Sequence, residues 1–429
     1  MPGLSMDPTD RPAPALPGRL LAPFPRATSI IYAVMGSLPV YLVGAHSERL
    51  QEELGFGTAG LAYATTGYFV AAGLSAVALG PALDRRRGAG SFRLASALSA
   101  AAALAVAWLA NGWQALAACL AVSGVANTVA QLACNRLLAK RLASGRQALG
   151  FAAKQAAIPL SSLLAGMAAS LAGPDLPYRV TFTAFAGFAL VAVALAPAFP
   201  GGAPGSAPVP AGSGGMRRVL VALAVAGGLG AVASNALAVL VVDAFADGGF
   251  SEAAATAVMT LGSAASIAAR LGVGWEIDRR GGNGFGELTV LTAAGAAGFL
   301  LLALGGSNRP VLFTGVLLAF AAGWGWPAVI YFTAARHGGD SPATATAFVL
   351  AGVFAGTVVG PALIGVQAEH LGYRTAWLTG SAALCLACLT VVAARRLATA
   401  ARAEAAPSPG ETRPGDGGHL EAGEPQPPM

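Results

Sequence analysis

The chain has 429 residues, 55% of them hydrophobic and only 11% charged. A soluble domain carries about 25% charged residues, so this composition, with a mean hydropathy of +0.64, excludes disorder and a disulfide scaffold, and argues against a large soluble enzyme. The formal net charge of +6 fits basic loops on the cytoplasmic side of a membrane better than a nucleic-acid surface.

Residues 1–26 are Pro-rich and lack the apolar core of a cleavable signal peptide, so the first apolar run is the expected insertion signal. Apolar runs then follow at 27–45, 58–80, 94–110, 114–138, 149–172, 178–198, 219–242, 252–274, 288–304, 311–333, 344–368 and 375–395. Crossing a bilayer takes roughly 20 residues as a helix, and the alternating polarity of barrel strands is absent. Twelve membrane-spanning helices are therefore predicted, in an all-α protein. A Pro/Gly/Ser-rich linker over 199–217 divides them six and six, giving helical bundles over 27–198 and 218–398. Residues 399–429, rich in Pro, Gly and Glu, are expected to be a disordered tail. Cys119, Cys134, Cys385 and Cys388 all lie inside apolar runs and are read as packing residues.

Loops after even-numbered spans carry Arg85, Arg86, Arg87, Arg93, Lys140, Arg141, Arg146, Arg217, Arg218, Arg279, Arg280 and Arg336. Loops after odd-numbered spans carry only Arg49, Arg179, Arg309 and Arg374. This bias places the first set, and both termini, in the cytoplasm, and the protein in the cell membrane.

One motif occurs twice. Gly80-Pro-Ala-Leu-Asp84-Arg85-Arg86 follows the second span, and Gly274-Trp-Glu-Ile-Asp278-Arg279-Arg280 follows the eighth, its Asp 194 positions after Asp84. Each Gly permits close helix approach. Each Asp, near a helix start, suits the positive end of a helix dipole and an Arg. A fainter echo pairs Ala148–Phe151 with Ala345–Phe348. The chain reads as a duplicated six-helix unit.

Twelve spans, a central linker and two G-x-x-x-D-R loops resemble the major facilitator superfamily of secondary transporters, over roughly residues 27–396. The resemblance implies two pseudo-symmetric six-helix bundles and alternating access. It implies that Gly80, Asp84 and Arg85, with Gly274, Asp278 and Arg279 as counterparts, gate the cytoplasmic side in the outward-facing state. It also implies a cavity between the first, fourth, seventh and tenth spans.

Polar residues inside spans supply the candidate pathway. Ser123, Asn127, Gln131 and Asn135 recur every four residues on the fourth span, a drifting stripe on one face. Its alternatives are a cavity wall and helix-to-helix hydrogen bonding. Lys154 and Gln155 open the fifth span, where a Lys either touches substrate or gate, or snorkels or pairs structurally. This Lys-Gln pair resembles cyanate-permease-like small-anion carriers. Arg270 on the eighth span either pairs with Glu276 and Asp278 or flanks the inner mouth with Lys154. Ser234 and Asn235 sit mid-way along the seventh span. Trp324, Trp326, Pro327 and Tyr331 mark a kinked tenth, and Tyr32, Ser37 and Tyr41 are candidate lining on the first. Gly352, Gly356 and Gly360 form a smooth face for a close contact that can slide or rock.

No acidic residue lies well inside any span, and no nucleotide-binding P-loop is present. This weakens a proton antiporter of cationic drugs and leaves uniport, anion exchange, or symport with a proton or other ion. The expected function is a monomeric carrier of a small anionic or polar organic solute, with no cofactor and no nucleic-acid partner. The alternatives are an exporter of hydrophobic drugs or natural products, and a membrane-embedded enzyme or non-transporting sensor. The last lacks converging catalytic groups.

Overall fold

The protein is described by a computed structural model over residues 24–85, 88–172, 177–197 and 214–404. In lipid, a backbone that cannot bond to water must bond to itself, and the apolar runs fold accordingly. Among the described residues there are fifteen α-helices and no strand. The first half holds α1 (Pro25–Ala45), α2 (Ser47–Leu54), α3 (Thr58–Arg85), α4 (Gly88–Trp108), α5 (Trp113–Arg141), α6 (Gln147–Gln155), α7 (Ala157–Ala172) and α8 (Tyr178–Ala194). The second holds α9 (Gly214–Asp247), α10 (Glu252–Arg280), α11 (Phe285–Leu304), α12 (Arg309–Ala321), α13 (Pro327–His337), α14 (Pro342–Leu371) and α15 (Tyr373–Glu404).

Twelve spans in two bundles result. Among the described residues, ten segments are long and apolar enough to cross a bilayer; α8 and α12 are shorter apolar helices. The fifth span is split into α6 and α7, and the tenth into α12 and α13. Proline explains both breaks. Pro159 cannot bond to the Gln155 carbonyl and its ring crowds it, and Pro327 opens α13. Large apolar side chains such as Leu74, Leu171, Val290 and Leu389 point outward, as expected where the surrounding solvent is lipid.

The element ends differ in places from the expected ones. The linker's last residues, 214–217, already belong to α9, and α15 runs on through 404. The remaining linker, most of both predicted tails, and Arg86 and Arg87 lie outside the described residues. The predicted Gly face of α14 packs on α9, within one bundle. A Cβ at Gly352, Gly356 or Gly360 would overlap the carbonyls of Ala224, Gly228 or Val232 respectively. The halves meet instead along two seams, α3 on α14 and α6 on α10, which a two-fold pseudo-axis exchanges. Beyond α6, the fifth span turns away from this seam, and α7 packs on α1.

Candidate functional site

Where the bundles face each other, a cavity of about 120 Å³ opens midway along the spans. Water needs roughly 15 Å³ of such space, so the cavity suits a compact solute. Its polar wall comes from Ser37 and Tyr41 on α1, Asn127 and Gln131 on α5, Gln155 on α6, Asn235 on α9 and Arg270 on α10. Its aromatic wall includes Phe69, Trp324, Trp326, Tyr331 and Phe354. Local bonds set several of these groups. The Trp326 indole donates to Ser234 Oγ at 3.0 Å, and that hydroxyl lies 2.7 Å from the Gly323 carbonyl, stitching α9 to the broken tenth span. Asn235 Nδ2 donates to Thr357 Oγ1 at 3.2 Å. The Gln155 Oε1 acceptor is buried without a partner, an idle group that a bound solute could satisfy.

Two cations stand at this level. Arg270, only 2% exposed, gives Nε and Nη2 to the Trp324 carbonyl at 3.2 and 2.6 Å, and Nη1 to the Gln155 carbonyl across the seam at 2.8 Å. Its guanidinium also lies 5.6 Å from the Trp324 ring centroid. Lys154 is fully buried behind the wall. Its Nζ donates to Asn135 Oδ1 at 2.7 Å and sits 5.2 Å from the centre of the Tyr331 ring. Neither cation has a carboxylate partner among the described residues; the one buried carboxylate there is Asp84, at the Arg-rich end. Both cations are thus held by neutral oxygens and aromatic rings rather than by a counter-ion.

At the Arg-rich end the two motif loops each reach across to the opposite half. Asp84 accepts from the Ala343 and Thr344 backbone N–H groups at 3.1 and 2.8 Å and from Thr344 Oγ1 at 2.7 Å, at the start of α14. Asp278 accepts from the Ala148 and Leu149 N–H groups, both at 3.0 Å, at the start of α6. Each carboxylate thus meets the unpaired donors and positive dipole end of a helix in the other bundle. The glycines allow the approach. A Cβ on Gly80 would come within 2.8 Å of Ala347 Cβ, and one on Gly274 within 2.7 Å of Ala152 Cβ. Lys140 adds a surface bridge to Asp340 at 2.9 Å, holding that carboxyl below its usual value. This end of the seam is closed.

A sequence profile of the Major Facilitator Superfamily matches residues 27–307. The chain belongs to the Major Facilitator Superfamily. It is therefore a multi-pass membrane protein of a transporter family, not an enzyme. Among curated proteins no sequence matches it. Solved structures share its fold at low identity. The human organic anion transporter MFSD10 is 16% identical with a TM-score of 0.63, over 85% of this chain and 98% of its own. The proton:xylose symporter XylE is 13% identical with a TM-score of 0.70, over 85% and 94%. FucP in its outward conformation is 13% identical with a TM-score of 0.69, over 88% and 99%.

The superfamily member places its sequence-derived candidates unevenly. Asn127, Gln131, Gln155, Asn235, Trp324 and Tyr331 face the cavity together, and Arg270 joins them. Tyr32 does not: its hydroxyl donates to the Ala192 carbonyl at 2.7 Å and its ring packs on Phe92. Lys154 neither snorkels nor lines the wall, because Asn135 holds its ammonium inside the bundle. The stripe on α5 splits because four residues overshoot one turn by ~40°. Only Asn127 and Gln131 reach the cavity, leaving Ser123 and Asn135 to one side. Arg270 pairs with neither loop carboxylate. Glu276 instead holds Arg280 and Arg279, the latter at 3.5 Å, and Asp278 caps α6. Arg85 is exposed, and the buried partner of Asp84 is Arg136, at 3.9 Å. Sequence reasoning missed Arg136, although an Arg ahead of the end of an apolar run was a visible signal. It also missed Tyr68, Phe354 and Thr357 as cavity wall, since the second and eleventh spans carried no cavity expectation.

Proposed function

We propose that this protein is a secondary transporter of a small organic anion, working as a monomer by alternating access. The Arg-rich end is the cytoplasmic one, by the distribution of Lys and Arg, and both termini lie there. On this reading the state is the outward-facing one of the cycle, closed at the cytoplasmic end. The inter-half clasps at Asp84 and Asp278 support this, as does the turn of α7 away from the α6–α10 seam.

The observation that carries the anion reading is Arg270. A guanidinium has five N–H donors. Three are directed at carbonyls, which leaves two for a carboxylate at the cavity wall. Aromatic rings would cover a flat apolar body, and Asn127 and Gln131 would bond to its polar end. No acidic residue faces the cavity, so any coupled proton would travel with the anion.

Uptake into proteoliposomes tests this, with 4-hydroxybenzoate, lactate, xylose and ethidium, each with and without a pH gradient. The carboxylates are expected to accumulate. Arg270→Gln and Lys154→Ala should reduce their uptake more than about tenfold while assembly is preserved. Ethidium uptake or efflux that survives both substitutions, with no carboxylate flux, would instead establish the hydrophobic-exporter reading, which the aromatic wall favours.

A further inference from the structure

Arg270 is bonded to two backbone carbonyls that ordinary helices would not leave available. In an α-helix the Gln155 carbonyl would accept from residue 159. Residue 159 is proline, which has no N–H to give, and the chain breaks between α6 and α7. The Trp324 carbonyl lies in the turn between α12 and α13, with Pro327 three residues on. One side chain on α10 therefore joins two broken helices. The Gln155 bond, at 2.8 Å, crosses from one bundle to the other. It sits at the inner edge of the cavity, where the closed part of the α6–α10 seam ends and α7 diverges.

We infer that Arg270 is a cross-bundle tether released by the cargo: an anion entering the cavity draws the guanidinium from the Gln155 carbonyl and so loosens α6 from α10. The inference rests on the anion reading of the cavity. The carboxylate first meets the two N–H groups of Arg270 left free, and then takes over the Nη1 donor held by Gln155, because a charged donor bonds a carboxylate more strongly than a neutral carbonyl. The Trp324 bonds keep Arg270 aimed at the cavity while the Gln155 bond gives way. Ligand occupancy thus becomes a change in the attachment between the halves. Positioning, not chemistry, is the role of Pro159: it holds the acceptor out of the helix while standing outside the cavity wall.

The test is a pulsed spin-label distance measurement between Glu52 and Glu369. Both are exposed at the end away from the Arg-rich loops. The full chain is used in nanodiscs, with its four cysteines replaced. Without ligand, wild type should favour the long distance of the open end. Pro159→Ala returns an N–H to the Gln155 carbonyl and should shift the long-to-short ratio toward short by about tenfold, the effect of one charge-assisted hydrogen bond. Arg270→Lys, which keeps the charge but cannot fork between two carbonyls, should shift it the same way and carries the test if Pro159→Ala does not fold. Adding 4-hydroxybenzoate should reproduce the shift in wild type and change Pro159→Ala by less than about twofold. An unchanged distance distribution in ligand-free Pro159→Ala and Arg270→Lys overturns the tether, whatever uptake shows. A shift in those variants, with wild type unmoved by the anion, keeps the tether and overturns its release by cargo together with the anion reading.

Discussion

Asp84 takes three donors from α14 and lies 3.9 Å from the Arg136 guanidinium. Asp278, in the matching loop of the other half, takes two donors from α6 and joins no ion pair among the described residues. The first carboxylate is buried and the second half-buried. Both cap a helix of the opposite bundle, so duplication preserves the partner type. It does not preserve the surroundings. Thr344 contributes a hydroxyl beside Asp84, where Leu149 offers only a backbone N–H to Asp278. The two halves are thus held together more strongly on the α3–α14 seam than on the α6–α10 seam, where the proposed tether also sits. The weaker seam is the one placed to respond to cargo.

Breaking the stronger clasp should have the largest effect. Asp84→Asn removes the charge that faces both the α14 terminus and Arg136, so the buried guanidinium loses its carboxylate neighbour at a cost of about 3 kcal/mol. The closed cytoplasmic end should open, and transport turnover should fall by about a hundredfold while the protein remains monodisperse. Initial uptake rates at wild-type level would remove Asp84 from the gate.

The glycines come next. Gly80→Ala and Gly274→Ala each press a Cβ into the facing helix, and overpacking of this kind costs about 1–3 kcal/mol. Gly274 is the tighter case, because its Cβ would also meet the Ala148 carbonyl at 3.0 Å. Gly274→Ala should therefore open the cytoplasmic end at least as much as Gly80→Ala, although its neighbouring Asp278 is the weaker clasp. Spin labels across the Arg-rich end read this order directly; the reverse order would show that backbone approach is not what the glycines serve.

Much of this gate was legible because its parts recur. Gly80 and Asp84 return as Gly274 and Asp278 at the same place in each half, and long apolar runs bound them. What the chain could not show is where each carboxylate goes. Asp84 bonds to residues 259 and 260 positions away, and no local spacing encodes such a meeting. A helix-start role was readable. That the helix belongs to the other bundle was not. The cavity followed the same rule. Asn127 and Gln131 announced themselves as amides in an apolar helix, since such groups must face something polar. Tyr32 carried the same signal, yet a single carbonyl on α8 satisfies it. Arg270 was visible as a charge in a span, but its acceptors are backbone carbonyls, that of Gln155, freed by Pro159, and that of Trp324 in the break before α13, and carbonyls leave no trace in residue type.

Asp278→Asn sharpens the contrast between the clasps. It weakens two N–H contacts and the favourable dipole term, together about 1 kcal/mol, with no buried cation left behind. The expected loss of turnover is about fivefold, well short of that for Asp84→Asn. Equal losses would mean that Arg136 adds nothing to the first clasp.

The smallest effect belongs to the Lys140–Asp340 bridge. It spans the halves at the same end as the clasps, but the Asp340 carboxylate is almost fully exposed, and water and salt screen such pairs. Lys140→Ala should change uptake by less than about twofold, and raising salt should erase even that difference. The bridge is also silent to pH across the working range. Lys140 holds the Asp340 carboxyl below its usual value of 3.8, so the attraction is complete above that value and is lost only as pH falls through the lowered one. A transport profile that bends between pH 5 and pH 8 in wild type should therefore bend identically in Lys140→Ala. A difference between the two profiles in that window would place a titrating group at the bridge and make this surface pair, rather than the buried clasps, the pH-sensitive element of the gate.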